Sequence, residues 1–310
     1  GIIIIDDISL LRQLDENTMA KELHFFESKP AIIPESNGFG STATETQFVG
    51  ANASTNARIA YHLKKKHLLG KMAIEIQDQN GNKITDLDAG KAKGINIVQW
   101  NFLTKPPKLA TGKTFAFGGF TSPRVPAGTY KVVIQKGKET FVSDLEVQYD
   151  PKSPIALADR KLNEETTKKL FNMSQELAYM VYELDETVAA AEAQKAKIPS
   201  SAKAVTPLIN ELTKLKETLV ITTGDNYVGM GEPQLREDMA DLYSKVAQSH
   251  FRPSQAELDN LEAIEGRFNA AKGDFKKIKD KHLAKFTEVR TKNKLEPIVI
   301  KSYDEFLKAQ

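Results

Sequence analysis

The hydrophobic pattern changes close to Asp150–Leu162, and this change limits the fold more than any other feature of the sequence. Between Ala57 and Tyr149, apolar and polar residues alternate, which is typical of half-buried antiparallel strands. From Asn163 onward, apolar residues recur every three or four positions, which is typical of amphipathic helices. The sequence therefore predicts a multidomain β + α protein, with an antiparallel β-sandwich followed by helices.

The predicted strands each carry one apolar face. The apolar positions are Ile59, Tyr61 and Leu63 in the first strand, Met72, Ile74 and Ile76 in the second, and Tyr130, Val132 and Ile134 in a later one. Asn80-Gly81 predicts a turn, because both residues tolerate a positive φ. Trp100 is the only tryptophan. We expect its ring between the sheets, where its loss would cost about 3–5 kcal/mol.

Four apolar stripes predict four helices that pack as an up-down bundle, because stripes of this width must be covered. Thr206-Pro207 is expected at or near the start of the second helix. The stripes are Leu170, Met173, Leu177, Val181, Leu184 and Val188; Leu208, Leu212, Leu215 and Leu219; Leu235, Met239, Leu242 and Val246; and Leu258, Leu261, Ile264, Phe268, Phe275, Ile278 and Phe286.

The first residues predict a strand that belongs to another domain. Gly1–Leu11 contains four consecutive isoleucines, a pattern typical of a strand buried on both faces. We therefore expect the chain to be the C-terminal piece of a longer protein. The Gly-, Ser- and Pro-containing stretch 15–55 is interpreted as a linker on the surface of its neighbour, held there by Phe25, Phe26, Ile32 and Ile33.

The composition argues against several functions. The 43 Lys and Arg residues nearly balance the 41 Asp and Glu residues, so the net charge of the chain does not indicate a nucleic-acid partner. The absence of cysteine excludes disulfides, thiolate nucleophiles and cysteine metal sites. No apolar run approaches the ~20 residues of a transmembrane segment. We expect no cofactor.

A few residues could carry chemistry, but each has a simpler interpretation. Asp6-Asp7 could bind a metal or act as a catalytic pair, although no third ligand is near, and it is interpreted as a strand end. His24 could be a ligand, but beside Phe25 and Phe26 it is expected to be packed. The run Lys64–His67 could contact a partner, and it is interpreted as a solvated hairpin tip.

The loop Thr223–Gly231 lacks the glycine order of a dinucleotide fingerprint and the Gly-Lys-Ser/Thr of a P-loop, so it is interpreted as a helix connection. The glycosylation sequons at Asn52 and Asn172 are attributed to chance. No Ser-His-Asp order and no His/carboxylate metal spacing stands out. We therefore name no catalytic, cofactor-binding or metal-binding residue.

Several segments together resemble a known family. Y-H-L, M-A-I-E-I-Q-D-Q-N-G-N-K-I, G-I-N-I-V-Q-W-N and V-P-A-G-T-Y-K-V-V-I occur in this order and resemble the Ig-like domain of the flagellar hook-capping protein. The wider series I-I-I-I-D-D-I-S-L-L-R-Q-L, L-H-F-F and F-V-G-A-N-A-S-T-N-A-R-I-A-Y-H-L resembles the end of bacterial proteins with neuraminidase-type (BNR) repeats and a sortilin-like propeller. Those proteins are often labelled glycosyl hydrolase or sialidase-like.

The resemblance implies three regions: a residual propeller strand and linker (1–55), an Ig-like β-sandwich (56–150) and a helical bundle with a C-terminal extension (151–310). The Asp-box S-x-D-x-G-x-T-W does not occur, so the propeller and any site that it carries would lie before Gly1. The implied function is a non-catalytic accessory region that binds protein, in an exported, extracytoplasmic parent. The alternatives are part of a sialidase-like hydrolase, or a subunit of a secretion or surface assembly.

Overall fold

The computed structural model describes residues 8–35, 54–224 and 232–309. These residues form two compact units, each with its own buried core. The first unit holds the described residues up to 105 together with 123–154. The second holds 106–122 and the described residues from 155 onward. The first unit is built on sheets and the second mainly on helices, so the prediction of a β + α protein is confirmed at this level.

The described part of the first unit contains eight strands in two sheets. One sheet has the order β1-β3-β6 and the other β2-β8-β7-β4-β5. All neighbours are antiparallel except β2 and β8, which are parallel. The strands are β1 (Leu23–Phe25), β2 (Ala31–Ile33), β3 (Ala57–Leu63), β4 (Met72–Gln77), β5 (Lys83–Asp88), β6 (Gly94–Trp100), β7 (Gly128–Lys136) and β8 (Glu139–Tyr149).

The two sheets share one buried cluster around Trp100. Its side chain is 1% exposed, and its indole N–H donates to the Leu103 carbonyl oxygen at 3.1 Å. The ring centroids of Phe102 and Tyr130 lie 5.7 and 5.6 Å from the indole. The predicted alternation is confirmed in β4 and at the predicted positions of β7. Trp100 lies in the core, as the sequence predicts.

Strand β3 differs from the expected half-buried strand, because both of its faces are covered. Ala60 and His62, on the face predicted to be polar, are 6% and 7% exposed. Leu10 and Phe26 pack against Ala60 and cover that face. Periodicity could not reveal this cover, since it comes from a distant part of the chain.

The interpretation of 15–55 as a linker is wrong for its described residues. They contribute β1 to one sheet and β2 to the other. Of the four residues expected to hold a linker, Phe26 and Ile33 are buried, Phe25 is half-buried and Ile32 is exposed. The short strands were missed because their pairing with β3 and β8 is non-local.

Six α-helices occur in the described residues. The short helix α1 (Glu16–Ala20) belongs to the first unit, and the Asp15 side chain caps it by accepting from the Thr18 N–H at 2.6 Å. In the second unit, α2 packs against α3, α4 and α5. No helix in these ranges is both long and apolar enough to cross a membrane. The remaining helices are α2 (Leu157–Lys197), α3 (Ala202–Leu219), α4 (Leu235–Gln248), α5 (Gln255–Lys292) and α6 (Tyr303–Lys308).

The predicted apolar stripes supply the core of the second unit. Of the residues predicted for them, all are buried except Val188 and Leu258, which are half-buried. Pro207 lies inside α3 and not at its start. The helix begins earlier because Pro199 opens a short 3-10 helix that runs directly into α3.

Residues 106–122, which we call the insert, lie between β6 and β7 in the chain but pack in the second unit. Ala110 of the insert is 5% exposed within the helical core. The sequence places these residues in the sandwich region 56–150, because they carry no periodicity that would link them to the helices. Three chain crossings therefore connect the units, at residues 105/106, 122/123 and 154/155.

Several predicted features lie outside the described residues. They are the four isoleucines of the strand predicted within Gly1–Leu11, the pair Asp6-Asp7, Asn52 of the first sequon, and most of the loop Thr223–Gly231.

The insert predicts that cutting the chain at 154 leaves two fragments associated. A protease site between Ser153 and Pro154 would give an N-terminal fragment that still carries the insert, whose Ala110 is buried among the helices. We expect both fragments to co-elute in size-exclusion chromatography after cleavage. A cleaved chain in which a Gly-Ser linker replaces 106–122 is the control, and its fragments should dissociate more readily. Full separation with the insert intact would contradict the assignment.

Candidate functional site

The insert is fixed to the helices by hydrogen bonds along its second half. The Lys113 N–H donates to the Ile221 carbonyl oxygen at 2.9 Å. The Tyr243 hydroxyl donates to the Thr121 carbonyl oxygen at 2.9 Å, and the Thr121 and Ser244 hydroxyl oxygens are 3.0 Å apart. These bonds satisfy buried polar groups on both sides, so the insert is held in one conformation.

Gly118 brings the backbone of the insert against the backbone of α4. It lies in the 3-10 turn Phe117–Phe120. A Cβ atom at Gly118 would lie 2.8 Å from the Ala240 carbonyl oxygen and 3.0 Å from the Ala240 Cα. Backbone atoms of a helix cannot move aside as a flexible side chain can. The turn can therefore approach α4 this closely only because residue 118 has no side chain.

Arg236 joins the insert to the first turn of α4, although its side chain is only 6% exposed. Its Nη2 donates to the Thr114 carbonyl oxygen at 2.7 Å, and its Nη1 donates to Glu237 Oε1 at 3.0 Å. The Thr114 hydroxyl donates to the same carboxylate oxygen at 2.8 Å. Burial lowers the pKa of the Arg236 guanidinium, and the Glu237 carboxylate opposes this effect. A connected, part-buried network thus joins Arg236, Glu237 and Thr114 and holds them in a defined geometry.

Three phenylalanines project from this fixed turn, and we call them the aromatic tip: Phe115, Phe117 and Phe120. They are 55%, 71% and 73% exposed. Phe115 stacks on Phe120 with ring centroids 5.0 Å apart and an interplanar angle of 13°, and Phe117 meets Phe115 edge-on at 4.8 Å. A contiguous exposed apolar group of this kind is typical of an interaction surface.

Beside the tip lies an open cavity of about 460 Å³, which we call the aromatic groove. Lys108, Leu109, Phe115, Phe120 and Arg236 contribute to its lining. The Lys108 ammonium donates to the Phe306 carbonyl oxygen at 2.6 Å and lies 3.9 Å from the centre of the Phe306 ring. Burial lowers the pKa of Lys108, and the positive charge of Lys301 lowers it further. The groove thus combines aromatic faces with positive charge.

A second cavity, of about 230 Å³, lies between α2, α5 and the residue Tyr303 of α6. Its charged side chains are already paired. Lys272 lies 3.4 Å from the Glu176 carboxylate, and Lys279 forms an ion pair with Glu183. Compensated charges of this kind are explained by packing between helices, so this cavity is the weaker candidate.

Those residues singled out in the sequence that the structure describes do not come together in a site. His24 is half-buried and its ring packs edge-on against Phe26 at 5.7 Å, and burial lowers its pKa, consistent with the packed interpretation. Lys64, Lys65 and Lys66 are exposed. They do not form a hairpin tip, because the strands that they connect, β3 and β4, belong to different sheets. Asn172 lies exposed inside α2.

The chain has no match among protein-family models, and no curated protein matches it. In the ranges that the structure describes, no group of three His, Asp or Glu side chains could hold a metal ion. The case for a function therefore depends on the geometry of the insert.

Phe115 and Phe117 lie in a long stretch without periodicity, so the sequence pattern does not identify them as a site. Charge offers a further signal, since no acidic residue occurs between Asp88 and Glu139. Arg236 could not be recognised, because an arginine in a helix is expected to be exposed.

The contact at Gly118 predicts that Gly118→Ala destabilises the second unit. The new methyl group would overlap the backbone of Ala240, and overpacking of this kind costs about 1–3 kcal/mol. The free energy of unfolding, measured by chemical denaturation, should fall by that amount.

Gly266→Ala is the matched control, because Gly266 lies in α5 and a Cβ there meets nothing within 4 Å. It should leave stability unchanged or raise it by about 0.5–1 kcal/mol. If the two variants unfolded with the same free energy, the close approach of the turn to α4 would not require a glycine at position 118.

Proposed function

We propose that this chain is a non-catalytic interaction region that contacts other proteins through the aromatic tip. In this proposal it is the C-terminal accessory part of an exported bacterial propeller protein. The two sheets correspond to an Ig-like β-sandwich that is antiparallel except for the pairing of β2 with β8, and α2–α5 correspond to an up-down helical bundle. The proposal also places the protein outside the cytoplasm, which rests on the family resemblance alone.

The observation that carries the proposal is the exposure of three phenylalanines on a rigidly anchored turn. Fully burying one such side chain contributes about 1.5–3 kcal/mol, and this contribution is largely forgone while the rings stay in water. Interfaces concentrate binding energy in a few aromatic anchors, and anchors held in place before binding lose little conformational entropy. The aromatic tip has both properties.

The architecture supports the structural part of the proposal. Two sheets share a buried cluster around Trp100, as expected for a sandwich. In the second unit, α2 packs against α3, α4 and α5 over a common core. The alternatives remain a sialidase-like hydrolase whose catalytic part lies upstream, and a subunit of a secretion or surface assembly.

The non-catalytic part of the proposal predicts that the purified chain does not hydrolyse aryl-sialosides or aryl-glycosides. The resemblance places any catalytic site in an upstream propeller, so release of the fluorescent aglycone should equal that of a heat-denatured sample. Turnover that a single Asp→Asn or Glu→Gln substitution abolishes would contradict the proposal.

The interaction itself is tested by photo-crosslinking in the source cells. Phe117 would be replaced by p-benzoylphenylalanine, which keeps an aromatic ring at a position that is 71% exposed. We expect discrete adducts whose mass-spectrometric peptides come from one other protein or from the region before residue 1. The adducts should weaken when Phe115→Ala and Phe120→Ala are added.

Phe251 is the control position for the same probe, since it is 65% exposed and lies outside the insert. It should give no comparable adduct. Adducts of the same pattern and yield at both positions, or none at Phe117, would show that the tip has no specific partner.

A further inference from the structure

We propose that the aromatic groove binds an acidic peptide segment that carries an aromatic side chain, supplied by the partner protein. The aromatic ring packs on Phe115 and Phe120, and the flanking carboxylates are attracted by the basic insert, which carries Lys108 in the groove lining and Lys113 exposed further along the chain. This inference rests on the proposed function and adds the chemistry of the partner.

The shape of the site favours a peptide over a flat surface. The groove is concave and has a volume of about 460 Å³. Pockets of roughly 300–1,000 Å³ accept ligands that bury most of their surface. A projecting side chain can enter such a concavity, whereas a planar bilayer would contact only its rim.

The aromatic pair at the groove gives a surface on which another ring can pack. Phe115 and Phe120 are nearly parallel and 5.0 Å apart, and both remain more than half exposed. Aromatic pairs prefer centroid separations of about 4.5–7 Å, with offset-stacked or edge-to-face geometry. The exposed faces and edges of this pair leave room for either arrangement with a further ring.

The insert that contributes most of the groove lining is basic. The insert carries Lys108 and Lys113 and contains no Asp or Glu. Within 8–35, 54–224 and 232–309, no carboxylate forms an ion pair with either lysine. The nearby Glu237 carboxylate is engaged by Arg236 and Thr114. Acidic residues in a partner would therefore approach lysines that no described carboxylate neutralises, which favours association and discriminates against basic partners.

Lys108 already contacts one aromatic residue of the chain, through that residue's backbone and its ring. The helix α6 has the sequence Tyr-Asp-Glu-Phe-Leu-Lys. Its Phe306 accepts a hydrogen bond from Lys108 through the carbonyl oxygen and places its ring beneath the ammonium group. This contact leaves Phe115 and Phe120 exposed, so the stacked pair stays accessible to a second acidic, aromatic segment.

The test measures fluorescence polarisation of labelled peptides with the purified full chain. The acidic probe is Ser-Asp-Phe-Asp-Ser, with Ser-Lys-Phe-Lys-Ser and Ser-Asp-Ala-Asp-Ser as the charge and ring controls. We expect the acidic probe to bind about tenfold or more tightly than either control, since the aromatic anchor and the charges both contribute. Its affinity should fall as salt is raised.

Two variants link the binding to the groove. Phe115→Ala with Phe120→Ala should weaken binding of the acidic probe by about tenfold or more. Lys113→Glu should weaken it by about threefold and strengthen binding of the lysine probe. Lys276→Glu, an exposed charge reversal on α5, is the control and should change neither. The substituted side chains are exposed or line an open groove, and unchanged melting curves would verify folding.

Other outcomes would overturn the inference. Equal binding of the acidic and lysine probes would remove the role of charge. Binding to phosphatidylglycerol vesicles but to no peptide would identify a membrane surface instead. If no probe binds while the crosslinks from position 117 persist, the partner chemistry is wrong and the proposed function stands. If the crosslinks also vanish, both fail.

Discussion

The packing of the insert against α4 is the constraint on which the candidate site depends. Gly118 lets two backbones meet. A part-buried network of Arg236, Glu237 and Thr114 fixes the chain beside that contact. Because the backbone of the turn faces the helix, the side chains of Phe117 and Phe120 remain in solvent. The exposure of the aromatic tip is thus a consequence of how its backbone is anchored, and it does not indicate a loose loop.

The sequence predicts those strands and helices that pack against the core on one face only. In β4, Met72, Ile74 and Ile76 face a single core, so alternation and burial coincide. Residues such as Leu170 and Leu177 in α2 follow the helical period for the same reason. The burial of Trp100 could be predicted because a large apolar side chain in a strand is usually packed in the core.

The parts that the sequence does not predict depend on contacts between distant segments. The second face of β3 is covered by Leu10 and Phe26, which lie more than thirty residues earlier in the chain. The pairing of β2 with β8 joins residues near 32 to residues near 148, and no local pattern records it. The insert has no periodicity at all, so its place among the helices follows only from tertiary packing.

The candidate site escaped prediction because two ordinary expectations are reversed there. An apolar run such as Phe115–Phe120 is expected to be buried, yet its phenylalanine rings are exposed. Arg236 is expected to lie in solvent, yet it is buried, with only 6% of its surface exposed. Each reversal costs stability, since exposed rings forgo burial and a buried guanidinium loses hydration. Departures from local rules of this kind concentrate where a protein binds or reacts. The buried Arg236 holds the turn that presents the rings, so the two costs belong to one arrangement. Binding of a partner at the aromatic tip would offset the cost of leaving the rings in water.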